Sequence, residues 1–308
     1  MDPLQFFAAS RLLVVAGKGG VGKTTVTAVL ARAAAESGLR VLVIDVEGKA
    51  GLAGLLGGDP QEPLPYDEVT LVEGLGPEGR GVLRGRTITA GTALHEYLDD
   101  HGLRRVSKRL IKTGVLDVVS TAAPGIEDIL VLGKVKQLER SDTADVIILD
   151  GPAAGHAIPF LQSANGLLDA VSVGPIQSQA KDVAELLGDA SRCQVMLVTL
   201  PEETPVNELI ETSFALEDRV GTALAPVVVN CVYPSRDLVP TATTDPEVLA
   251  AAEFRRSMCA AQVAQIERLS KELPLPRIVL PFVFTAGLDA ADVSRLASVA
   301  LDGVRALP

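Results

Sequence analysis

Tryptophan is absent from the 308 residues, and all aromatic side chains together make up only 3%. The core of such a chain must rest on Leu, Val, Ile and Ala, and so few rings make a poor platform for stacking nucleic-acid bases. Cysteine occurs three times, at Cys193, Cys231 and Cys259, with no C-x-x-C pair. That excludes the usual structural zinc spacing and gives no sign of a disulfide scaffold, so reduced, buried thiols are expected. Positive charge is scarce as well: 28 Lys and Arg stand against 39 Asp and Glu, a net charge of −11. Non-specific DNA binders gain affinity by neutralising phosphates with Lys and Arg, so DNA is not expected as a partner. Long apolar runs are missing too; none approaches the roughly 20 residues that span a bilayer. The N-terminal stretch MDPLQFFAASR carries an early acid and too short an apolar run for a signal peptide. The expectation is a cytoplasmic protein.

What the chain does have is an ample apolar fraction, 47%, laid out in short β-branched runs that alternate with longer helical patterns. That alternation is the mark of a parallel sheet covered on both faces. Strands are predicted at Leu12–Ala16, Val41–Asp45, Arg86–Ala90, Asp145–Asp150, Cys193–Leu200, Pro226–Tyr233 and Arg277–Pro281. Helices are predicted at Lys23–Ser37, Pro124–Leu138, Pro205–Leu216, Pro246–Leu273 and Leu288–Leu307. The Gly- and Pro-rich stretch Gly57–Gly81 reads as a loop with one short strand at Glu68–Glu73. With no repeat and no long linker, the expected architecture is one α/β domain over residues 1–308 with a doubly wound, mostly parallel sheet. Helical elaborations are expected around residues 92–140, with a second candidate stretch at 157–191.

Residues 17–25, GKGGVGKTT, follow the first strand and open the first long helix. Gly17, Gly22, Lys23 and Thr24 satisfy G-x-x-x-x-G-K-[ST], the phosphate loop, in the strand–loop–helix context that supports it. Glycines let the backbone N–H groups of Lys18, Gly19, Gly20, Val21 and Gly22 turn inward around a phosphate, and the helix presents its positive end at Lys23–Thr25. Lys23 suits the β- and γ-phosphate oxygens, and the Thr24 hydroxyl suits Mg²⁺. The motif makes this a nucleoside triphosphate site.

The loop carries a second lysine, Lys18, directly after its first glycine. This G-K-G-G-x-G-K-[ST]-T pattern resembles the deviant Walker A loop of the MinD/ParA/arsenite-pump class of P-loop ATPases. Three later segments narrow the resemblance to the arsenite-pump and tail-anchored-protein-targeting branch, which includes the bacterial anion-transporting ATPases. Pro124-Gly-Ile-Glu-Asp128 is similar to its P-G-I-D-E motif, and Asp150-Gly-Pro-Ala-Ala-Gly-His156 to its switch II, D-T-A-P-T-G-H. Leu200-Pro-Glu-Glu203 with Pro205-Val-Asn-Glu208 is similar to T-P-E-x-x-P-V-x-E. Together the segments cover most of residues 11–210 in the family's order.

The resemblance implies Mg²⁺-dependent hydrolysis of ATP to ADP and phosphate in a dimeric switch. Asp45, at the end of the second strand, falls where the family has the switch I aspartate that orients the attacking water and helps hold Mg²⁺. Capping of the helix near Leu52 is the structural alternative for this carboxylate. Asp150 matches the acid that holds Mg²⁺ through a water. Switch I departs from D-P-A-H-x at Val46, Glu47, Gly48 and Lys49, which makes Glu47 a rival for the water. Lys18 matches the lysine that reaches across a dimer interface to the partner's nucleotide, and a solvated loop lysine is the alternative. Asn230 falls where relatives read the adenine edge, with Pro281 and Phe282 where a closing loop begins; a strand-end turn and simple core packing are their alternatives.

Other family features are missing. Leu249 and Ala252 stand where the targeting factors carry their zinc-binding C-x-x-C, so ATP or ADP and Mg²⁺ are expected and zinc is not. The three cysteines suggest no metalloid site, and three methionines make no Met-rich client groove. Arg104, Arg105, Lys108, Arg109 and Lys112 share one helical face, either solvated or docked on an acidic partner or lipid surface. The amphipathic stretch Asp292–Leu307 is weakly basic, so membrane association is at most peripheral. A homodimer, or a heterodimer with a paralogous ATPase, acting on an unidentified protein client is the expected assembly. A slow or non-catalytic nucleotide-gated partner is the second reading, and a ParA- or MinD-like positioning ATPase the third.

Overall fold

The computed structural model describes residues 1–48, 50–100, 125–171, 173–234 and 245–308. The N-terminal part runs α1 (Pro3–Phe7), β1 (Leu12–Gly17), α2 (Lys23–Glu36), β2 (Arg40–Asp45), α3 (Leu52–Leu55), β3 (Val69–Leu75) and β4 (Gly81–Thr87). Then come α4 (Ala90–Asp100), α5 (Ile126–Arg140), β5 (Val146–Ala153), α6 (Ala154–Ala170) and α7 (Pro175–Gly188). The remainder is β6 (Cys193–Thr199), α8 (Glu203–Arg219), β7 (Ala223–Leu224), β8 (Val227–Val232), α9 (Pro246–Glu272), β9 (Arg277–Pro281) and α10 (Ala290–Arg305).

Among the described residues the strands form one nine-stranded sheet in the order β3-β4-β2-β5-β1-β6-β8-β9, with β7 pairing beside β6. Every pairing is parallel except β3 with β4 at one edge. The central strands are apolar at consecutive positions because successive side chains leave opposite faces and both faces are covered. Leu12, Val14 and Ala16 enter one core with Leu42, Ile44, Ile147 and Leu149, under α5, α6 and α7. Leu13 and Val15 enter the other with Val41, Val43, Val146 and Ile148, under α2 and α10. Each buried Val, Leu or Ile contributes about 1.5–3 kcal/mol, so these two layers supply the main drive for the fold. Helix α2 is rich in alanine on its buried face (Ala28, Ala31, Ala33, Ala34, Ala35), which lets it lie close to the sheet.

Strand β1 lies between β5 and β6, where the chain's excursions turn to opposite sides, so the loop after it opens at the sheet's switch point. The expected strand at Arg86–Ala90 is displaced: β4 runs Gly81–Thr87, and α4 already begins at Ala90. Two glycines made the start of β4 read as loop. At Gly81, however, a Cβ would lie 1.8 Å from the Ala35 carbonyl, so the glycine reflects helix–strand contact and not a turn. The 157–191 stretch divides into α6 and α7, and the expected helix at Pro124–Leu138 is α5. Lys49, Pro124 and the basic cluster Arg104, Arg105, Lys108, Arg109 and Lys112 lie outside the described residues.

Candidate functional site

The loop from Gly17 to Gly22 leaves β1 and delivers the chain into α2. Gly17 packs so tightly on β6 that a Cβ there would lie 2.4 Å from the Val198 carbonyl. Gly22, the N-cap of α2, takes φ 87°, a left-handed conformation that a side chain disfavours. A Cβ on Gly22 would also lie 2.4 Å from Nδ2 of Asn230. These two glycines therefore hold the loop against β6 and against the end of β8. The helix that follows starts with Lys23, Thr24 and Thr25, whose backbone N–H groups lie in the anion-binding first turn.

Behind the loop the sheet register sets two carboxylates side by side. Asp45 of β2 pairs directly with Asp150 of β5, and both are buried. Asp150 accepts a hydrogen bond from the Thr24 hydroxyl at 2.8 Å and one from Thr27 at 3.0 Å. Burial pushes its pKa up to about 6; the two threonine hydroxyls and Lys23 oppose the rise, and the Asp45 charge adds to it. Asp45 accepts the Glu47 backbone N–H at 2.9 Å, and α3 begins a few residues on, with Gly51 as its N-cap. The Lys23 ammonium donates to the Lys18 carbonyl at 3.3 Å, folded back over its own loop.

Lys18 itself is paired. Its ammonium lies 2.5 Å from the Glu208 carboxylate of α8, and both side chains are about one-third exposed, 36% and 37%. Glu208 ends the Pro205–Glu208 segment, so two motifs separated by 190 positions meet in one ion pair.

A cavity of about 370 Å³ opens beside the loop. Asn230, Pro281 and Phe282 all line it, together with Gly20, Val21 and Thr25. The Asn230 amide donates to the Val21 carbonyl at 2.9 Å, tying the end of β8 to the phosphate loop. Tyr233, Phe282 and Phe284 cluster at its rim, with the Tyr233 ring 5.1 Å from Phe282 and 6.0 Å from Phe284. A second, smaller cavity of about 240 Å³ is lined by Glu47, Glu127, Asp128 and His156, so the segments that follow β2 and β5 share one cleft. Burial raises the Asp128 pKa; Glu127 raises it further, and His156 opposes the rise.

Three contributors escaped sequence reasoning, Thr27, Tyr233 and Gln262, while Glu208 was visible as a motif residue but not as the partner of Lys18. Thr27 sits one turn after Thr24 on α2, a spacing that could have signalled it. Tyr233 and Gln262 carry no local signal.

The three cysteines are free, and burial pushes the Cys193 thiol up to about 12 and that of Cys231 upward. Among the described residues no group of three or more His, Cys, Asp or Glu side chains is placed to hold a metal ion. Two carboxylates and a hydroxyl still suit Mg²⁺, a hard cation that takes one or two carboxylates and fills its shell with water and phosphate oxygens. The proximity of Asp45 and Asp150, and the raised pKa of Asp150, mark a place where a cation is favoured.

A glycine loop between a strand and a helix, at the switch point of a parallel sheet, defines a P-loop nucleotide-binding protein. The chain belongs to the CobQ/CobB/MinD/ParA nucleotide binding domain family, whose model matches residues 12–296. It is 30% identical to ATPase BagA of Mycobacterium tuberculosis across 96% of this chain and 94% of that protein. A Halobacterium salinarum protein provisionally named an arsenical pump-driving ATPase is 27% identical across 95% of this chain and 46% of that protein. ATPase GET3B of Arabidopsis thaliana is 29% identical across 72% and 64% of the two chains. These relatives support the arsenite-pump-like branch that the motifs indicated. Among the described residues no helix is long and apolar enough to cross a membrane.

Proposed function

We propose that the chain binds ATP with Mg²⁺ in the crevice above β1 and hydrolyses it as a dimeric switch acting on a protein client. The observation that carries this reading is the pairing of Asp45 with Asp150 at the carboxyl ends of adjacent strands, facing Thr24 at the start of α2. The loop's N–H groups and Lys23 hold the phosphates, and Asn230, Pro281 and Phe282 take the adenine in the neighbouring cavity. Thr24, Asp45 and Asp150 are the residues that would hold Mg²⁺, which would supply charge neutralisation at the phosphate oxygens. Asp45 orients the attacking water and accepts its proton; its backbone bond from Glu47 fixes the carboxylate at the strand end. Glu47 is the alternative for that role.

Lys23→Ala should abolish Mg²⁺-dependent phosphate release, and Asp45→Asn should slow it by about a hundredfold or more, the usual scale for a positioned acid–base group. Turnover unchanged in both variants would sink the assignment. Capturing proteins with the Asp45→Asn variant, held in its ATP state, is the route to the client.

A second reading is favoured by the Lys18–Glu208 pair and by the altered switch I. Here the chain is a slow or non-catalytic partner whose assembly, with itself or a paralogue, is gated by nucleotide. Lys18→Ala then weakens assembly and leaves nucleotide affinity intact. An assembly unchanged by that substitution, in sizing runs with and without an ATP analogue, speaks against it.

A further inference from the structure

Strand β8 does not run straight to its end. Its ladder with β9 slips between Val229 and Val232, and Cys231, inside the slip, has φ of 58°. A residue with a Cβ adopts that left-handed conformation only where its surroundings hold it there. The holding group is Gln262, which comes from the middle of α9 and is 6% exposed. Its side-chain carbonyl accepts the Tyr233 N–H at 2.8 Å, and its amide donates to the Cys231 carbonyl at 3.2 Å. One side chain thus replaces the strand partner that the slip removes, on both sides of Val232, immediately after the twisted residue. Buried backbone groups need such partners, and few side chains offer a donor and an acceptor together.

Gln262 itself reaches the lining of the 370 Å³ cavity, with both polar atoms of its amide committed to the backbone, and the segment that it holds joins the cavity's two walls. On one side Asn230 bonds to Val21 of the phosphate loop. On the other, Tyr233 packs on Phe282, whose own N–H donates to Val232 at 2.8 Å. We propose that Gln262 is a positioning residue for the nucleoside part of the substrate: it fixes the peptide that aims Asn230 and Tyr233, and leaves the phosphate cradle alone. The inference rests on the nucleotide reading of the site. It separates base recognition, carried by β8, β9 and α9, from phosphate recognition, carried by β1 and α2.

The test compares binding of ATP with binding of inorganic tripolyphosphate, which has phosphates but no base, by calorimetry on the full chain. In Gln262→Leu, of similar size, ATP should bind about ten- to a hundredfold more weakly, the scale of a buried backbone pair left without partners. Tripolyphosphate should stay within about twofold of wild type. Gln262→Glu keeps the acceptor for Tyr233 and loses the donor to Cys231, so its ATP affinity should fall between the two. If the leucine variant fails to fold by circular dichroism, the glutamate variant carries the test. ATP affinity equal to wild type in the folded variants overturns the proposal. Equal losses for ATP and tripolyphosphate also overturn it, since they make Gln262 a general structural support. A wild-type protein that binds neither compound defeats the nucleotide reading itself, a result distinct from either of those.

Discussion

Replacing Asp150 with asparagine should stabilise the nucleotide-free protein while disabling it. The buried Asp150 carboxyl has its pKa pushed up to about 6, against an ordinary 3.8, chiefly by burial and further by Asp45. Its proton is therefore held more tightly in the folded chain than in the unfolded one. Near and below the ordinary value both states are protonated and folding carries no penalty from this group. Between about 4 and 6 the unfolded chain ionises freely while the folded chain keeps its proton, so stability falls as pH rises through that window. Above about 6, where the folded carboxyl ionises too, the loss is complete. About two pH units, at 1.36 kcal/mol each, make roughly 3 kcal/mol above neutrality. The asparagine offers one acceptor where the carboxylate served both Thr24 and Thr27, so one hydroxyl must turn, at about 1 kcal/mol. The net gain is about 2 kcal/mol at pH 7.5. For a chain of this length that is a melting shift of about 3 °C, readable by scanning fluorimetry or calorimetry. The gain should vanish as pH falls from 6 to 4 and then reverse, because the lost hydrogen bond remains when the charge penalty has gone. Mg²⁺ with ATP should stabilise the wild type and not the variant. A variant less stable than wild type throughout pH 5–8 would refute both the raised pKa and the crowding of carboxylates behind the loop.

Two further substitutions probe the frame around the site. Arg192 is paired with Glu139, which is 4% exposed, at 2.6 Å, and removing it as Arg192→Ala leaves a buried carboxylate alone. Denaturant unfolding should show a loss of about 3–5 kcal/mol, and a loss under about 1 kcal/mol would contradict the burial of that pair. Glu208→Gln frees the Lys18 ammonium from a pair that is one-third exposed, so stability should change by less than about 1 kcal/mol. If Lys18 reaches a second chain, the same variant should assemble at lower protein concentration in the presence of an ATP analogue. Light scattering that shows no shift would remove Glu208 from the control of assembly.

Much of the site was legible in the chain because it is local. The phosphate loop is nine consecutive residues whose chemistry, glycines that turn the backbone followed by Lys23 and Thr24, works only in that order. Asp45 and Asp150 were recognisable as acids at the ends of two apolar runs, because a parallel sheet buried on both faces brings its strand ends to one crevice. The alternation of apolar runs with helical patterns carried the fold class for the same reason. Boundaries were less legible where packing outweighed propensity, as at Gly81, a glycine kept for its closeness to α2 and not for a turn.

What only the tertiary structure decided is which distant side chains meet. Register places Asp45 against Asp150; helix phase adds Thr27 to the pair; and α8 brings Glu208 to Lys18. The slip in β8 gives Gln262 its two backbone partners 29 and 31 positions away. Several of these residues stood out singly, but which of them meet across distant segments has no sequence signature, because a hydrogen bond or ion pair depends on position in space to within a fraction of an ångström. The spacing of residues along a chain carries that information only within a single turn, strand or loop.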